Sequence, residues 1–462
     1  MIVHSPRCVI AGLKGGSGKT IVTLSLISAL KERGLIVAPF KKGPDYIDTG
    51  WLAYMAGQPC YNLDLFLLQK EAVLMSFAKH SSSDKVAVIE GNRGLYDGTD
   101  LSGSNSTAEL ARILQCPVIV VLDCTKVTRT MAALLKGLQN FDEQITLAGV
   151  ILNNIAGARH EAIVVQSIDH YCDLPVFGIV PRLGKGMVPE RHMGLAPHQE
   201  HKDHENTKAV LSSIARHLDV NAIVRTAKKA PPLSVVEVPV VKPMSLAIKP
   251  KIGVLMDSAF QFYYPENIEA LQNHGAEVRS VNSLNKEDLP QLDALYIGGG
   301  FPETHAYLLA ENQRFRQSLK NAIETGLPVY AECGGLMYLG EQLILDDKVY
   351  SMCGIFPVSF RMNKQPQAHG YTIVEVVKDN PYFPTGLTLK GHEFHYSSVV
   401  DFSSGRDSFA FAVNRGKGIL DRKDGLFYKN VFATYTHLHA ISSPQWVEAM
   451  VRLAKNRVRF TH

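Results

Sequence analysis

Long apolar runs, paired-cysteine motifs and blocks of like charge are all missing from this 462-residue sequence. A membrane span needs about 20 consecutive apolar residues, and none is present, so no membrane partner is expected. The start, Met1-Ile2-Val3-His4-Ser5-Pro6-Arg7, has no leader-like hydrophobic stretch, and the expectation is a cytoplasmic protein. Cys8, Cys60, Cys116, Cys124, Cys172, Cys333 and Cys353 are scattered with no C-x-x-C pair, which speaks against a disulfide framework or a zinc ribbon. A net charge of +4, from 48 basic and 44 acidic residues that are interspersed, makes no case for nucleic acid. An anionic small substrate is compatible with it. With 46% apolar and 20% charged residues the chain is ordinary for a globular protein, and its length allows about two to four domains.

What is there is an alternation of short β-rich runs with helical stretches. Cys8–Ala11, Val37–Phe40, Val86–Glu90, Val118–Leu122 and Ala148–Leu152 read as strands; Thr20–Lys31, Thr107–Leu114 and Val127–Leu138 read as helices. That order implies an α/β fold with a parallel, helix-covered sheet. Lys228-Lys229-Ala230-Pro231-Pro232 opens a Val/Pro-rich stretch ending at Lys249-Pro250, where proline interrupts helix and central strand alike. The expected organisation is a domain over 1–227, a linker over 228–249 and a second α/β domain over 250–462, with strands at Ile252–Met256, Leu295–Ile297 and Val329–Ala331 and a helix at Asn312–Glu324.

Val9-Ile10-Ala11-Gly12-Leu13-Lys14-Gly15-Gly16-Ser17-Gly18-Lys19-Thr20 is a strand, a glycine-rich loop and a helix start. Such a loop lets backbone N–H groups of Gly15, Gly16, Ser17 and Gly18 wrap a phosphate, with Lys19 on the outer phosphates and Thr20 on Mg²⁺. Leu13 stands where the strict P-loop string has its first glycine. Asp45 and Asp48 follow the next strand, and Glu90 ends another, a set suited to holding Mg²⁺ beside ATP phosphates. The proposed ligands are Thr20, Asp45 and Glu90.

Pro328-Val329-Tyr330-Ala331-Glu332-Cys333-Gly334-Gly335 runs from a strand into a helical stretch, the pattern of a nucleophile elbow. Cys333 would be exposed at a helix start, a setting that lowers thiol pKa. A base is available in Thr434-Tyr435-Thr436-His437-Leu438-His439, where the alternating histidines face opposite ways and His437 is the choice. Bare amides at Gly299, Gly300 and Gly334 would form an oxyanion hole. Gly391-His392-Glu393-Phe394-His395-Tyr396 is one residue short of the H-E-x-x-H helix and reads as structural or substrate-side, not zinc.

Several strings in order resemble the cobyrinate a,c-diamide synthase family, which pairs a dethiobiotin-synthetase-like ATPase with a class I-type glutamine amidotransferase. They are Lys42-Gly43-Pro44-Asp45-Tyr46, Glu90-Gly91, Gly94-Leu95-Tyr96-Asp97-Gly98, Pro189-Glu190-Arg191-His192-Met193-Gly194-Leu195, Phe262-Tyr263-Tyr264-Pro265-Glu266-Asn267, Ala331-Glu332-Cys333-Gly334-Gly335 and Gly391-His392-Glu393-Phe394-His395-Tyr396. The resemblance covers nearly the whole chain. It implies a cytoplasmic ligase of cobalamin biosynthesis, monomer or homodimer. Cys333 and His437 would hydrolyse glutamine, and ATP with Mg²⁺ would turn the a and c carboxylates of cobyrinate into acyl phosphates for ammonia to amidate. A closed passage would keep that ammonia from bulk water.

The sequence departs from the pattern in three places. Leu438-His439 follow His437 where many such amidotransferases have Pro-Glu, so no third catalytic member is assignable. Lys14 makes Lys-Gly-Gly-x-Gly-Lys-Thr resemble the loop of partition ATPases, which keeps a switch ATPase as a different-class alternative. Asn92-Arg93 precede Gly94, and Arg93 is a candidate contact for a substrate carboxylate. Nickel sirohydrochlorin and hydrogenobyrinate are alternative substrates within the same chemistry; a cobyric acid synthase fits the strings less well.

Overall fold

The computed structural model describes residues 1–184, 190–191, 194–195, 197–201, 203–236, 249–403 and 409–461. The chain divides into two compact units, Met1–Pro239 and Val240–His462. Both are α/β.

The first unit holds a seven-stranded sheet in the spatial order Tyr61–Leu63, Ile36–Lys42, Lys85–Glu90, Arg7–Gly12, Val118–Asp123, Leu147–Ile155, Val176–Pro181, every ladder parallel. Parallel strands are covered on both faces, so they read as continuous apolar runs. Val-Ile-Val-Val-Leu at 118–122 is buried throughout, and each such side chain contributes about 1.5–3 kcal/mol. From the central Arg7–Gly12 strand the chain fills one side and then crosses to Val118–Asp123 on the other. Gly12, Lys42, Glu90 and Asp123 therefore end at one edge, around a topological switch point where such sheets bind ligands.

Two expectations shift. The helix expected from Val127 begins at Thr130: Asp123 accepts from the amide and hydroxyl of Thr125, and Lys126 takes a left-handed φ of 56°, so turn chemistry consumes the first residues. Part of the stretch read as linker folds back, with Leu233–Ser234 pairing antiparallel with Ile2–Val3. Arg7 accounts for this. Its guanidinium is buried and donates to the carbonyls of Ser5, Leu114, Gln115 and Pro231, the last at 2.6 Å. A buried charge needs such acceptors, and one lies beyond residue 228.

The second unit has a ten-stranded sheet among the described residues. Glu277–Val281, Lys251–Leu255, Ala294–Ile297, Val329–Glu332 and Val431–Thr434 are parallel; Lys423–Tyr428, Phe409–Arg415, Ala368–Val376, Thr388–His395 and His437–Leu438 continue it antiparallel. Only Tyr435 and Thr436 separate the last parallel strand from His437–Leu438. The antiparallel half thus curls back to its own start, which brings His437 beside the strand bearing Cys333. Tyr330, Tyr296 and Trp446, all fully buried, pack the outer face, with Tyr330 and Trp446 stacked at 4.9 Å.

Candidate functional site

In the first unit the glycine-rich loop joins the Arg7–Gly12 strand to the helix Lys19–Glu32. Gly18 has φ 88°, and a Cβ there would collide with the Asn153 amide, which donates to Ser17 O at 3.0 Å. Only glycine meets both demands. Lys19 folds over the loop and donates to the carbonyls of Lys14 at 3.0 Å and Arg93 at 2.7 Å. Burial, then the charge of Lys41, lowers its pKa to about 8, so a polyanion would restore the full charge. Arg93 itself has φ 52°, a left-handed strain that turns its carbonyl to Lys19. Lys14 is exposed, 3.7 Å from Asp123.

Thr20, Asp48 and Glu90 come together as expected residues, but around a cation that sequence reasoning missed. Lys41 Nζ lies 2.6 Å from both Asp48 and Glu90, while Thr20 donates to Glu90 at 2.8 Å. Burial alone would discharge Lys41; the two carboxylates reverse this and hold it protonated. Its signal in the sequence was a lysine pointing inward from the Ile36–Lys42 strand, indistinguishable there from its neighbour Lys42. Asp45 stands apart from that pair: its Oδ1 accepts the Asp48 amide at 2.8 Å, and burial, then Asp48, raises its pKa to about 7.

The donor set suits Mg²⁺. Hydroxyl and carboxylate oxygens are the hard ligands it prefers, and Glu90 Oε2 and Ser17 Oγ are buried without a hydrogen-bond partner among the described residues. Mg²⁺ is commonly held by one or two carboxylates together with substrate phosphates.

In the second unit Cys333 joins the strand Val329–Glu332 to the helix Gly334–Leu339 with φ 47° and ψ −97°. This strained elbow is held by the Cys333 amide donating to Thr434 O at 2.8 Å. The glycines expected for an oxyanion hole meet here. A Cβ on Gly334 would lie 3.1 Å from Gly300 N, and one on Gly299 would lie 2.6 Å from His437 Cε1 and 3.3 Å from Nε2. The Cys333 turn, the bare glycine backbone and the His437 imidazole thus share one place.

One expectation is corrected. The resting thiol is not acidified: burial pushes its pKa up, and the nearby charge of Glu303 adds to this despite a hydrogen bond from the Gly334 amide. Cys333 is only 5% exposed, so desolvation outweighs the six-residue helix behind it.

The two histidines part as the strand period requires. His437 Nδ1 is 3.4 Å from Glu332 Oε2, whereas His439 Nε2 is 3.6 Å from Glu266 and its ring lies against Tyr264. His392 stacks on His437 at 4.8 Å and meets the Tyr264 hydroxyl at 3.2 Å; burial, then the charge of His437, holds it neutral. Asn267 pins the strand by donating to Leu438 O and accepting from the Ala440 amide. The Phe262–Asn267 and Gly391–Tyr396 strings accordingly build the wall around His437. Of the string 189–195, Pro189, His192 and Met193 lie outside the described residues.

Residues 8–194 match the model of the CobQ/CobB/MinD/ParA nucleotide binding domain, and residues 251–445 match that of the CobB/CobQ-like glutamine amidotransferase domain. The cobyrinate a,c-diamide synthase of Magnetococcus marinus is 40% identical, the match covering 99% of this chain and 98% of that one. The chain belongs to the cobyrinate a,c-diamide synthase family. Members from Archaeoglobus fulgidus and Methanosarcina acetivorans are 39% and 37% identical, covering 98% and 97% of this chain and 98% and 95% of theirs. The N-terminal model groups CobQ and CobB with MinD and ParA by its own description, whereas the C-terminal one is of a glutamine amidotransferase domain. No helix among the described residues is long and apolar enough to cross a membrane.

Proposed function

We propose that this protein uses ATP and glutamine to convert the a and c side-chain carboxylates of cobyrinate into carboxamides, working in the cytoplasm as a monomer or homodimer. The observation that carries this reading is one chain holding both a nucleotide loop and a Cys333 elbow beside His437, within full-length similarity to this family.

In the second unit His437 takes the thiol proton as sulfur attacks the glutamine carboxamide, and the amides of Gly299, Gly300 and Gly334 face the oxygen that gains charge. The same proton goes to the departing nitrogen, so ammonia leaves and a thioester stays for water to cleave to glutamate. In the first unit Gly15, Gly16, Ser17 and Gly18 hold the ATP phosphates, Lys19 balances the γ-phosphate, and Arg93 faces the substrate carboxylate. Thr20 and Glu90, with Asp48 and Asp45 behind them, would hold Mg²⁺, which draws charge from the phosphates when bound. A carboxylate has no useful leaving group. Phosphorylation supplies one, and ammonia displaces phosphate to give the amide.

The test offers purified protein ATP, glutamine and Mg²⁺ with cobyrinate, hydrogenobyrinate or nickel sirohydrochlorin in parallel, reading ADP and product mass. Two carboxylate-to-carboxamide changes on cobyrinate are expected. The same change only on another macrocycle reassigns the substrate, and ATP turnover indifferent to glutamine overturns the amidase reading.

A further inference from the structure

The catalytic histidine lacks an acidic residue after it in sequence, since Leu438 and His439 follow His437. We propose that Glu332, the residue immediately before the nucleophile, is the positioning carboxylate for His437, so that base and nucleophile are both set by one strand. This rests on the glutaminase reading of the Cys333 elbow.

Geometry carries the proposal. Glu332 ends the strand Val329–Glu332 and is fully buried. Successive residues of a strand point to opposite sides, and the strained turn at Cys333 re-aims the sulfur while leaving Glu332 beneath the imidazole. Its Oε2 is 3.4 Å from His437 Nδ1 and accepts the Tyr296 hydroxyl at 3.0 Å; its Oε1 accepts the Leu438 amide at 3.0 Å. The carboxylate thus faces the ring and holds the backbone of the next residue. With Nδ1 toward Glu332, the opposite nitrogen, Nε2, lies on the Gly299 side, 3.3 Å from where a Cβ would stand on that glycine. That is the nitrogen a thiol beside Gly334 requires. A carboxylate at Nδ1 fixes the tautomer with its lone pair on Nε2 and stabilises the imidazolium formed when the thiol proton arrives.

The other buried carboxylates nearby have different partners. Glu266 meets His439, Glu393 accepts the amides of Lys417 and Gly418, and Asp424 accepts from Thr434, Tyr435 and Thr436. Glu303 acts on the sulfur. His392 covers the second face of the His437 ring and is held neutral, so it gives no counter-charge. Tyr296 is kept protonated by burial and then by the charge of Glu332; its hydroxyl accepts from the Asn267 side-chain amide at 3.3 Å and donates to Glu332 at 3.0 Å.

The proton balance is closed within the pair. Cys333 gives its proton to Nε2, the sulfur–carbon bond forms, and Nε2 returns the proton to the nitrogen as the carbon–nitrogen bond breaks. The Nδ1 proton stays throughout, facing Glu332.

Glu332→Gln keeps the side-chain length and an acceptor for Tyr296 or Leu438 while removing the charge. Expected are a fall in glutaminase kcat on the order of 10²- to 10⁴-fold, the range of a lost general base, with KM for glutamine nearly unchanged. The acidic limb of kcat/KM should move to lower pH, because the imidazolium has lost its counter-charge. Glu332→Asp, charged but shorter, should recover part of kcat and return the limb toward its original pH. Ammonia-dependent amidation by Glu332→Gln should stay at the wild-type level. A merely structural Glu332 would instead lower Tm and leave kcat and the pH limb of the folded fraction in place, and that result overturns the proposal. Should Glu332→Gln fail to fold, the limb is read in Glu332→Asp and Tyr296→Phe, and unmoved limbs in both have the same consequence. Wild-type protein that releases no glutamate from glutamine would sink the underlying reading rather than this one.

Discussion

The two sites solve opposite problems with charge. Around the nucleotide loop, Lys19, Lys41, Asp48 and Glu90 are collected within one edge of a sheet and neutralise one another, with Lys41 at 2.6 Å from two carboxylates. Around Cys333 burial pushes the thiol up and His392 down, the backbone of Gly299, Gly300 and Gly334 lies bare, and the carboxylate of Glu332 stands 3.4 Å from His437. In the proposed reaction the first site receives a polyanion and a metal, which suits charges stored in pairs that can be exchanged. In the proposed reaction the second site meets charge only in transit, which suits bare dipoles and one base backed by a carboxylate. Preorganised dipoles in a dry site serve transient charge better than mobile ions do.

Breaking either side should leave the other standing, and the largest effect is expected at the sulfur. Cys333→Ala should cut glutamine-dependent amidation on the order of 10⁴-fold or more, while amidation from added ammonia persists; glutamate release by the variant would remove Cys333 as nucleophile. The converse break is Lys19→Ala or Glu90→Gln. Each should lower ADP formation and amidation from both nitrogen sources by roughly 10²- to 10³-fold, with glutamate release measured alone retained.

Lys41→Met sharpens the contrast by leaving the buried Glu90 and the half-buried Asp48 without their cation. Loss of one partner from a buried pair costs about 3–5 kcal/mol, so the first unit should melt earlier, and Mg²⁺ should raise Tm in the variant more than in the wild type. Equal metal responses would mean that Lys41 and the metal do not share the carboxylates.

The smallest effect is at Asp45, whose folded pKa of about 7 lies above its ordinary 3.8. Its contribution to stability is then full below about pH 4 and lost as pH rises through 7. Thermal melts of Asp45→Asn against wild type should favour the variant progressively between those values, and parallel curves would show Asp45 already ionised.

Local chemistry made much of this readable. Alternating apolar runs and turn residues mark the strands, and Gly15–Thr20 announces a phosphate loop because backbone wrapping of phosphate demands glycine in a row. Cys333 between a strand and two glycines is equally local. The extent of the first unit was less legible, since the guanidinium of Arg7 reaches Pro231 across the chain. The thiol was less legible, because its pKa follows the burial of Cys333, which no spacing encodes.

Taken alone, the order of residues determines that two α/β units exist, that one carries a phosphate loop and the other a cysteine elbow, and which family the chain resembles. Those features are short-range, set by φ preference, periodicity and turn chemistry. Tertiary structure alone decided that Lys41 lies between Asp48 and Glu90, and that Glu332, one residue before Cys333, reaches His437, 105 positions later (437 − 332). Both depend on which strands lie side by side, and a parallel sheet makes neighbours of residues far apart in the chain.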